Sequence, residues 1–159
     1  MSTLLRYLRG TALGLACVAG ARAGDGYTTV PMSEKSLATY YVEASLGDSL
    51  GVEFMVDTGA GYTTINEETL TTLKRSGSAV YIGELVGVMA DGSQRRLPVY
   101  RVKRLVLGED CALHDIEVAV FPSDTRMLLG LSALRKASPF VFSIDPPRLR
   151  LSNCQSVSG

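Results

Sequence analysis

From Tyr40 onward the chain is a succession of short apolar-alternating runs broken by turn residues, a pattern that restricts it to a mostly β fold. Tyr40, Val42, Ala44 and Leu46 share one face of a first strand, and Val52, Phe54 and Val56 share one face of a second. Gly47-Asp48-Ser49 lies between them, so the two predict a hairpin. Val80–Met89 and Leu97–Leu107 repeat the arrangement around Ala90-Asp91-Gly92-Ser93, whose Asp-Gly suits a tight turn. Shorter strands are expected up to Ile65, over Ile116–Phe121, and over Phe140–Ile144 and Leu149–Leu151, and Leu128-Leu129-Gly130 is a compact buried run. One or two short helices interrupt them. Asn66 can cap the first, Glu67 and Glu68 suit its N-terminal turn, Leu70 and Leu73 form its apolar face, and Gly77 ends it. Leu131–Ala137 predicts the second.

Length and charge bound the rest. The chain has 159 residues, material for one domain. Sixteen basic residues balance sixteen acidic ones, with no basic block, which disfavours a nucleic-acid partner. One histidine and three cysteines leave little for a metal site built on those ligands. Met1–Arg9 carries Arg6 and Arg9 and no acid, Thr11–Ala21 is small and apolar, and Ala21-Arg22-Ala23 fits a cleavage site. Residues 1–23 therefore predict a secretory signal peptide, too short in its apolar part for the roughly 20 residues of a bilayer span. The alternatives are an uncleaved anchoring helix and lipidation at Cys17, where Gly14 stands in place of the usual larger aliphatic. Cleavage removes three arginines and no acid, leaving an acidic mature chain with no stable membrane span, in the periplasm or outside the cell. Residues 24–38 are expected to be a flexible lead or linker, 39–153 the folded domain and 154–159 a short tail. Of the cysteines, Cys111 and Cys154 remain, either bonded or free.

The chemistry centres on Asp57. Phe54-Met55-Val56 runs into Asp57-Thr58-Gly59-Ala60-Gly61, placing a carboxylate where a buried strand opens into a glycine-bearing loop. Taken alone, Asp-Thr-Gly is equally an ordinary strand-to-turn aspartate. Its surroundings resemble a family. The run from Phe54 to Ala60 resembles the active-site motif of aspartic proteases, and Leu128-Leu129-Gly130, followed by a helix, resembles their second signature. Met89–Ser93 falls between the two, where the family has its flap hairpin. The likeness covers Tyr40 to about Leu151 and is to the single-lobed, retropepsin-like branch, with the signal peptide pointing to its exported bacterial members.

That resemblance implies a small closed β-barrel and an obligate homodimer, in which Asp57 faces Asp57 of a second copy across a two-fold axis. The two carboxylates share a proton, one activating a water and the other protonating the scissile carbonyl of a peptide or protein substrate. No metal or other cofactor is required. Thr58 corresponds to the residue that braces the two active-site loops, Gly59 to the one whose backbone lies beside substrate, and Ala60 belongs to the same loop. Asp91 and Gly92 fall at the flap tip, and Leu128, Leu129 and Gly130 support the loop. Gly61 departs from the family, where a polar residue usually supports the loop at this place. The terminal strands, including Leu149–Leu151, are expected to interleave between subunits, which adds a Cys154–Cys154 bridge to the possibilities. The rival readings are an inactive peptide-binding protein of the same fold and a structural β-barrel envelope protein with a chance Asp-Thr-Gly.

Other groups point less far. Cys111 and His114 could form a nucleophile and base, but no orienting acid motif accompanies them. Asp110 and Asp115 match no zinc or calcium pattern. Arg95, Arg96, Arg101, Lys103 and Arg104 make a basic strand pair, either a solvated face or a preference for acidic peptides or an anionic surface. Arg135 and Lys136 suit the end of a helix.

Overall fold

Two sheets hold the strands of the computed structural model, which describes residues 26–157. The elements in chain order are β1 (Thr28–Pro31), β2 (Ser33–Lys35), β3 (Thr39–Leu46), β4 (Leu50–Val56), β5 (Thr63–Asn66) and α1 (Glu67–Arg75), followed by β6 (Ala79–Val88), β7 (Gln94–Leu107) and β8 (Cys111–Phe121). The chain closes with β9 (Leu128–Leu129), α2 (Leu131–Leu134), β10 (Phe140–Ser143) and β11 (Arg148–Leu151). The larger sheet has the order β2-β3-β4-β9-β5-β8-β7-β6, and the smaller β1-β11-β10. β3 also pairs with β7 through Ala44↔Leu107, Ser45↔Val106 and Leu46↔Leu105, so the larger sheet wraps back on itself there.

The alternation in sequence becomes the core. Val42 pairs with Phe54 and Ala44 with Val52, which puts the expected faces of β3 and β4 on the same side. Val42, Leu46 and Phe54 are buried against Leu105, Leu107, Ile116, Val118 and Leu129. α1 begins as its sequence dictates, with the Asn66 side chain accepting from Thr69 N at 2.9 Å. Leu73 is buried and Leu70 packs against the core. Gly77, at φ +68°, then turns the chain into β6.

Three expectations change. The supposed lead is not a linker from Thr28 on: β1 pairs with β11 from Thr28↔Leu151 to Pro31↔Arg148, and Val30 is 2% exposed. The burial of Val30 and the ladder to β11 outweigh the polar composition of the segment. Second, β8 starts at Cys111 rather than Ile116, and Cys111, Ala112 and Leu113 are all buried. Third, β11 lies between β1 and β10, so both of its edges are occupied within the chain. Leu149–Leu151 therefore cannot interleave with a second subunit without breaking one of these ladders.

Cys111 and Cys154 form a disulfide within the chain, with Cα atoms 4.8 Å apart. Cys154 is thus committed and no Cys154–Cys154 bridge is available. The bond, with the backbone pair Ala112–Gln155 at 3.1 Å in both directions, anchors the supposed tail to the start of β8. The candidate signal peptide lies outside the described residues. Among the described residues no helix is long and apolar enough to cross a membrane.

Candidate active site

The loop after β4 is built on a strand inserted from far along the chain. β9 runs parallel to β4, pairing Met55↔Leu128 and Val56↔Leu129, and touches β5 through Thr64↔Leu128. The insertion fixes the loop at both ends. Asp57 N donates to Leu129 O at 3.1 Å, and Leu131 N donates to Ala60 O at 2.8 Å. Within the loop, Gly59 N donates to Asp57 Oδ1 at 2.9 Å and Ala60 N to Asp57 O at 3.3 Å. One carboxylate oxygen of Asp57 is therefore oriented by the backbone two residues on.

Gly130 is where the two segments come closest. A Cβ there would lie 2.2 Å from Tyr62 O and 2.8 Å from Ala60 O, so no side chain fits without moving backbone. The approach places Thr63 against the same residue. Thr63 Oγ1 accepts from Gly130 N at 3.2 Å and donates to Gly130 O at 3.4 Å. Thr64 Oγ1 accepts from Leu128 N at 3.0 Å. Ser132 Oγ accepts from Thr63 N at 2.8 Å and donates to Glu117 O at 2.7 Å. Thr63 is fully buried and Thr64 nearly so, and each has its polar group satisfied.

Asp57 lies on the lining of a cleft of about 640 Å³. Gly59, Ala60, Gly61 and Tyr62 continue that lining, and Leu85–Ala90 of the β6 hairpin face it with Leu97, Ala119, Phe121 and Leu128. Among the described residues, Asp57 is the only charged side chain that lines the cleft. Thr58 is exposed at the loop's rim.

The turn at the end of the hairpin is bonded to itself. Met89 N donates to Ser93 O at 2.8 Å and Gly92 N to Met89 O at 2.9 Å, with Gly92 at φ +79°. Asp91 Oδ1 accepts from Ser93 Oγ at 2.6 Å and from Ser93 N at 2.9 Å. The hydroxyl, then the amide, hold the Asp91 carboxyl below its ordinary value.

The structure brings Asp57, Gly59, Ala60 and Leu128 to one cleft and puts Leu129 and Gly130 directly behind it. Asp91 and Gly92 occupy the hairpin tip but do not line the cleft, where Met89 and Ala90 stand instead. Gly61 has no atom within 4 Å of a would-be Cβ, and the loop is held by Thr63, Gly130 and Ser132 without help from that position. Thr63, Thr64 and Ser132 escaped the sequence reading. Their one visible signal is hydroxyl residues immediately after the loop and two places after Gly130.

The remaining sequence candidates disperse. Cys111 is oxidised in the disulfide and His114 is exposed, so they form no nucleophile–base pair. Arg96 pairs with Glu84 at 3.5 Å and Arg101 with Glu117 at 3.7 Å. Exposed pairs of this kind contribute about 0–1 kcal/mol each.

A family model described as "gag-polyprotein putative aspartyl protease" matches residues 42–136, a span that takes in Asp57 and Gly130 and stops before β10. Among solved structures, a retropepsin-like aspartic protease from Rickettsia conorii aligns with a TM-score of 0.54 at 19% sequence identity. That alignment covers 79% of this chain and 94% of the other. No curated protein matches the sequence.

Proposed function

The chain belongs to the gag-polyprotein aspartyl protease family, whose model it matches over residues 42–136, and from that premise we propose that it hydrolyses peptide bonds as a homodimer. One chain offers one Asp57. Two copies related by a two-fold axis offer a pair, and like charges that close hold one proton between them. The ionised Asp57 takes a proton from a water held between the two. The water oxygen bonds to the scissile carbonyl carbon while the protonated Asp57 gives its proton to the carbonyl oxygen, forming a gem-diol. As that intermediate collapses the C–N bond breaks, the amine leaves with the proton the first carboxylate had taken, and one gem-diol hydroxyl returns its proton to the second carboxylate as the carbonyl of the new acid forms. General acid–base assistance of this kind is worth about 10²–10⁴ in rate.

The observation that carries this reading is the seat of Asp57. Its Oδ1 is held by Gly59 N at 2.9 Å, on a loop locked by Gly130, on the lining of a cleft with no other charged lining side chain among the described residues. A rigid carboxylate in an apolar cleft suits an extended peptide, whose side chains fill the cleft while the reacting amide meets the acid. The β6 hairpin is the cover that excludes water once peptide is bound. Thr58, exposed on the rim, is free of the core and available to brace the partner's loop. The Cys111–Cys154 disulfide supports an exported protein working in an oxidising compartment.

The test is digestion of an unfolded protein by purified wild type and Asp57→Asn from acid to neutral pH. Cleavage by wild type that the variant lacks is expected. Identical absence of digestion by both, each a folded dimer, overturns the proposal.

A further inference from the structure

A second hollow, of about 550 Å³, shares Gly61 and Tyr62 with the cleft that Asp57 lines. At Gly61 the shared wall carries no side chain, and a Cβ there would meet no atom within 4 Å, so the wall stands open at that point. The position where the family usually has a polar side chain thus leaves the two hollows unscreened from each other. They differ in charge. The cleft has one charged side chain on its lining among the described residues, whereas the second hollow sets Arg101, Arg135 and Lys136 against Asp115 and Glu117.

The sequence keeps these cations apart, Arg101 in the basic strand pair and Arg135-Lys136 just after α2, and the fold brings them together. The β7–β8 ladder pairs Arg101 with Glu117, and their side chains meet at 3.7 Å. That pair spends one cation and one acid on each other. Arg135 and Lys136 are exposed and form no ion pair among the described residues. Asp115 remains to oppose them, one acid against two cations. The hollow is also tied to the Asp57 loop. Ser132, on its lining, donates from Oγ to Glu117 O at 2.7 Å and accepts from Thr63 N at 2.8 Å.

We propose that this hollow is an anion subsite, which selects peptides carrying a carboxylate away from the scissile bond. The proposal deepens the peptidase reading and rests on it for its substrate. A peptide lying in the cleft finds no cation there, and an acidic side chain beside the cut meets the like charge of Asp57. Where the peptide passes Gly61, an acidic side chain or a terminal carboxylate enters the second hollow. Arg135 offers it a planar fork of N–H donors and Lys136 a point charge. Binding gained there holds the reacting amide in register with the acid.

The probe is a set of fluorescent, amidated peptides of one uncharged sequence, in which a single Glu replaces Gln at each position in turn, together with the free-acid form of the parent. Binding to Asp57→Asn is read by anisotropy, and kcat/KM is read on wild type. Glu at one position, the same in both readings, should improve each by about 10-fold over Gln. A gain confined to the free-acid peptide assigns the subsite to the peptide terminus. In Arg135→Gln with Lys136→Gln the Glu-to-Gln ratio should fall to about one, and in Asp115→Asn, which removes the opposing acid, it should rise. Glu no better than Gln at every position, with no gain for the free acid, overturns the proposal. So does a gain that survives the double variant or is indifferent to Asp115→Asn. Should the double variant misfold, salt decides on the unaltered pair of cations. From about 0.1 M to about 1 M the screening length falls from roughly 10 Å to roughly 3 Å, and a gain that does not shrink overturns the proposal. If wild type cuts none of the peptides while Glu still binds better through Arg135 and Lys136, the subsite stands and the peptidase reading falls.

Discussion

Two aspartates of this chain make the same local bond and sit in very different structures. Asp57 Oδ1 accepts from Gly59 N at 2.9 Å, and Asp91 Oδ1 accepts from Ser93 N at 2.9 Å. Around Asp57 the bonds reach far along the chain, as when Gly130 N donates to Thr63 Oγ1 across 67 residues. Around Asp91 every bond stays within Met89–Ser93. The first loop is held by another part of the fold and the second by itself. On the proposed mechanism Asp57 must meet a second carboxylate at a set distance, which needs the first kind of support. On the same proposal the β6 hairpin must open for a peptide, which needs the second, because bonds that close on themselves travel with the moving piece.

The largest effect should come from the aspartate that the fold holds. Asp57→Asn keeps an acceptor for Gly59 N and removes the charge, so cleavage should fall by at least about 10²-fold while the thermal midpoint stays within a few degrees. A variant that cuts as fast as wild type would make the two aspartates equivalent and end the contrast. Next comes the brace itself. Gly130→Ala places a Cβ 2.2 Å from Tyr62 O, where only backbone can give way. Overpacking of this kind costs about 3 kcal/mol, read as a fall in thermal midpoint on the order of 10 °C. An unchanged midpoint would mean that β9 is not clamped to the loop.

The same contrast divides what the sequence discloses from what it hides. Asp57 and Gly130 are legible because the short runs around them, Phe54–Ala60 and Leu128–Gly130, together resemble two signatures of one family, although Asp-Thr-Gly alone is no more than an ordinary turn. The faces of β3 and β4 are legible because Val42 and Phe54 alternate with polar residues on strands long enough to show a period. Thr63 and Thr64 look like surface residues, since their burial is created by partners at Gly130 and Leu128. β1 is four residues ending in proline, too short for a pattern, and its only ladder is to a strand at the other end of the chain. β8 hides its first half because Asp115, at φ +54°, breaks the alternation between Leu113 and Ile116. Which strand of the small sheet is central, and so which edge stays open, follows from long-range pairing that no local run of residues expresses.

Thr63→Val tests whether long-range support acts through hydrogen bonds as well as through shape. Valine keeps the volume of threonine and leaves Gly130 N, buried behind the loop, without its acceptor. A loss of about 2 kcal/mol is expected, with cleavage reduced more than stability alone explains, because the seat of Asp57 loosens before the domain unfolds. Stability falling with cleavage untouched would show that Thr63 holds the domain and not the carboxylate.

The smallest effect belongs to Asp91, whose turn is exposed and supports nothing beyond itself. Its carboxyl is held below the ordinary value of 3.8, first by the Ser93 hydroxyl and then by the Ser93 amide. A lowered value means that the charged form is the one favoured in the folded turn. Its contribution is therefore fully present above the ordinary value and is lost as pH falls through the lowered one. The Ser93 amide resonance, followed from neutral to acid pH, should titrate with a midpoint below 3.8. Ser93→Ala removes the hydroxyl and keeps the amide, so the midpoint should move up toward the ordinary value while cleavage and thermal midpoint barely change. A midpoint that does not move would assign the shift to the backbone alone. A large loss of cleavage would show that the tip reaches substrate after all, and the two aspartates would then differ in degree and not in kind.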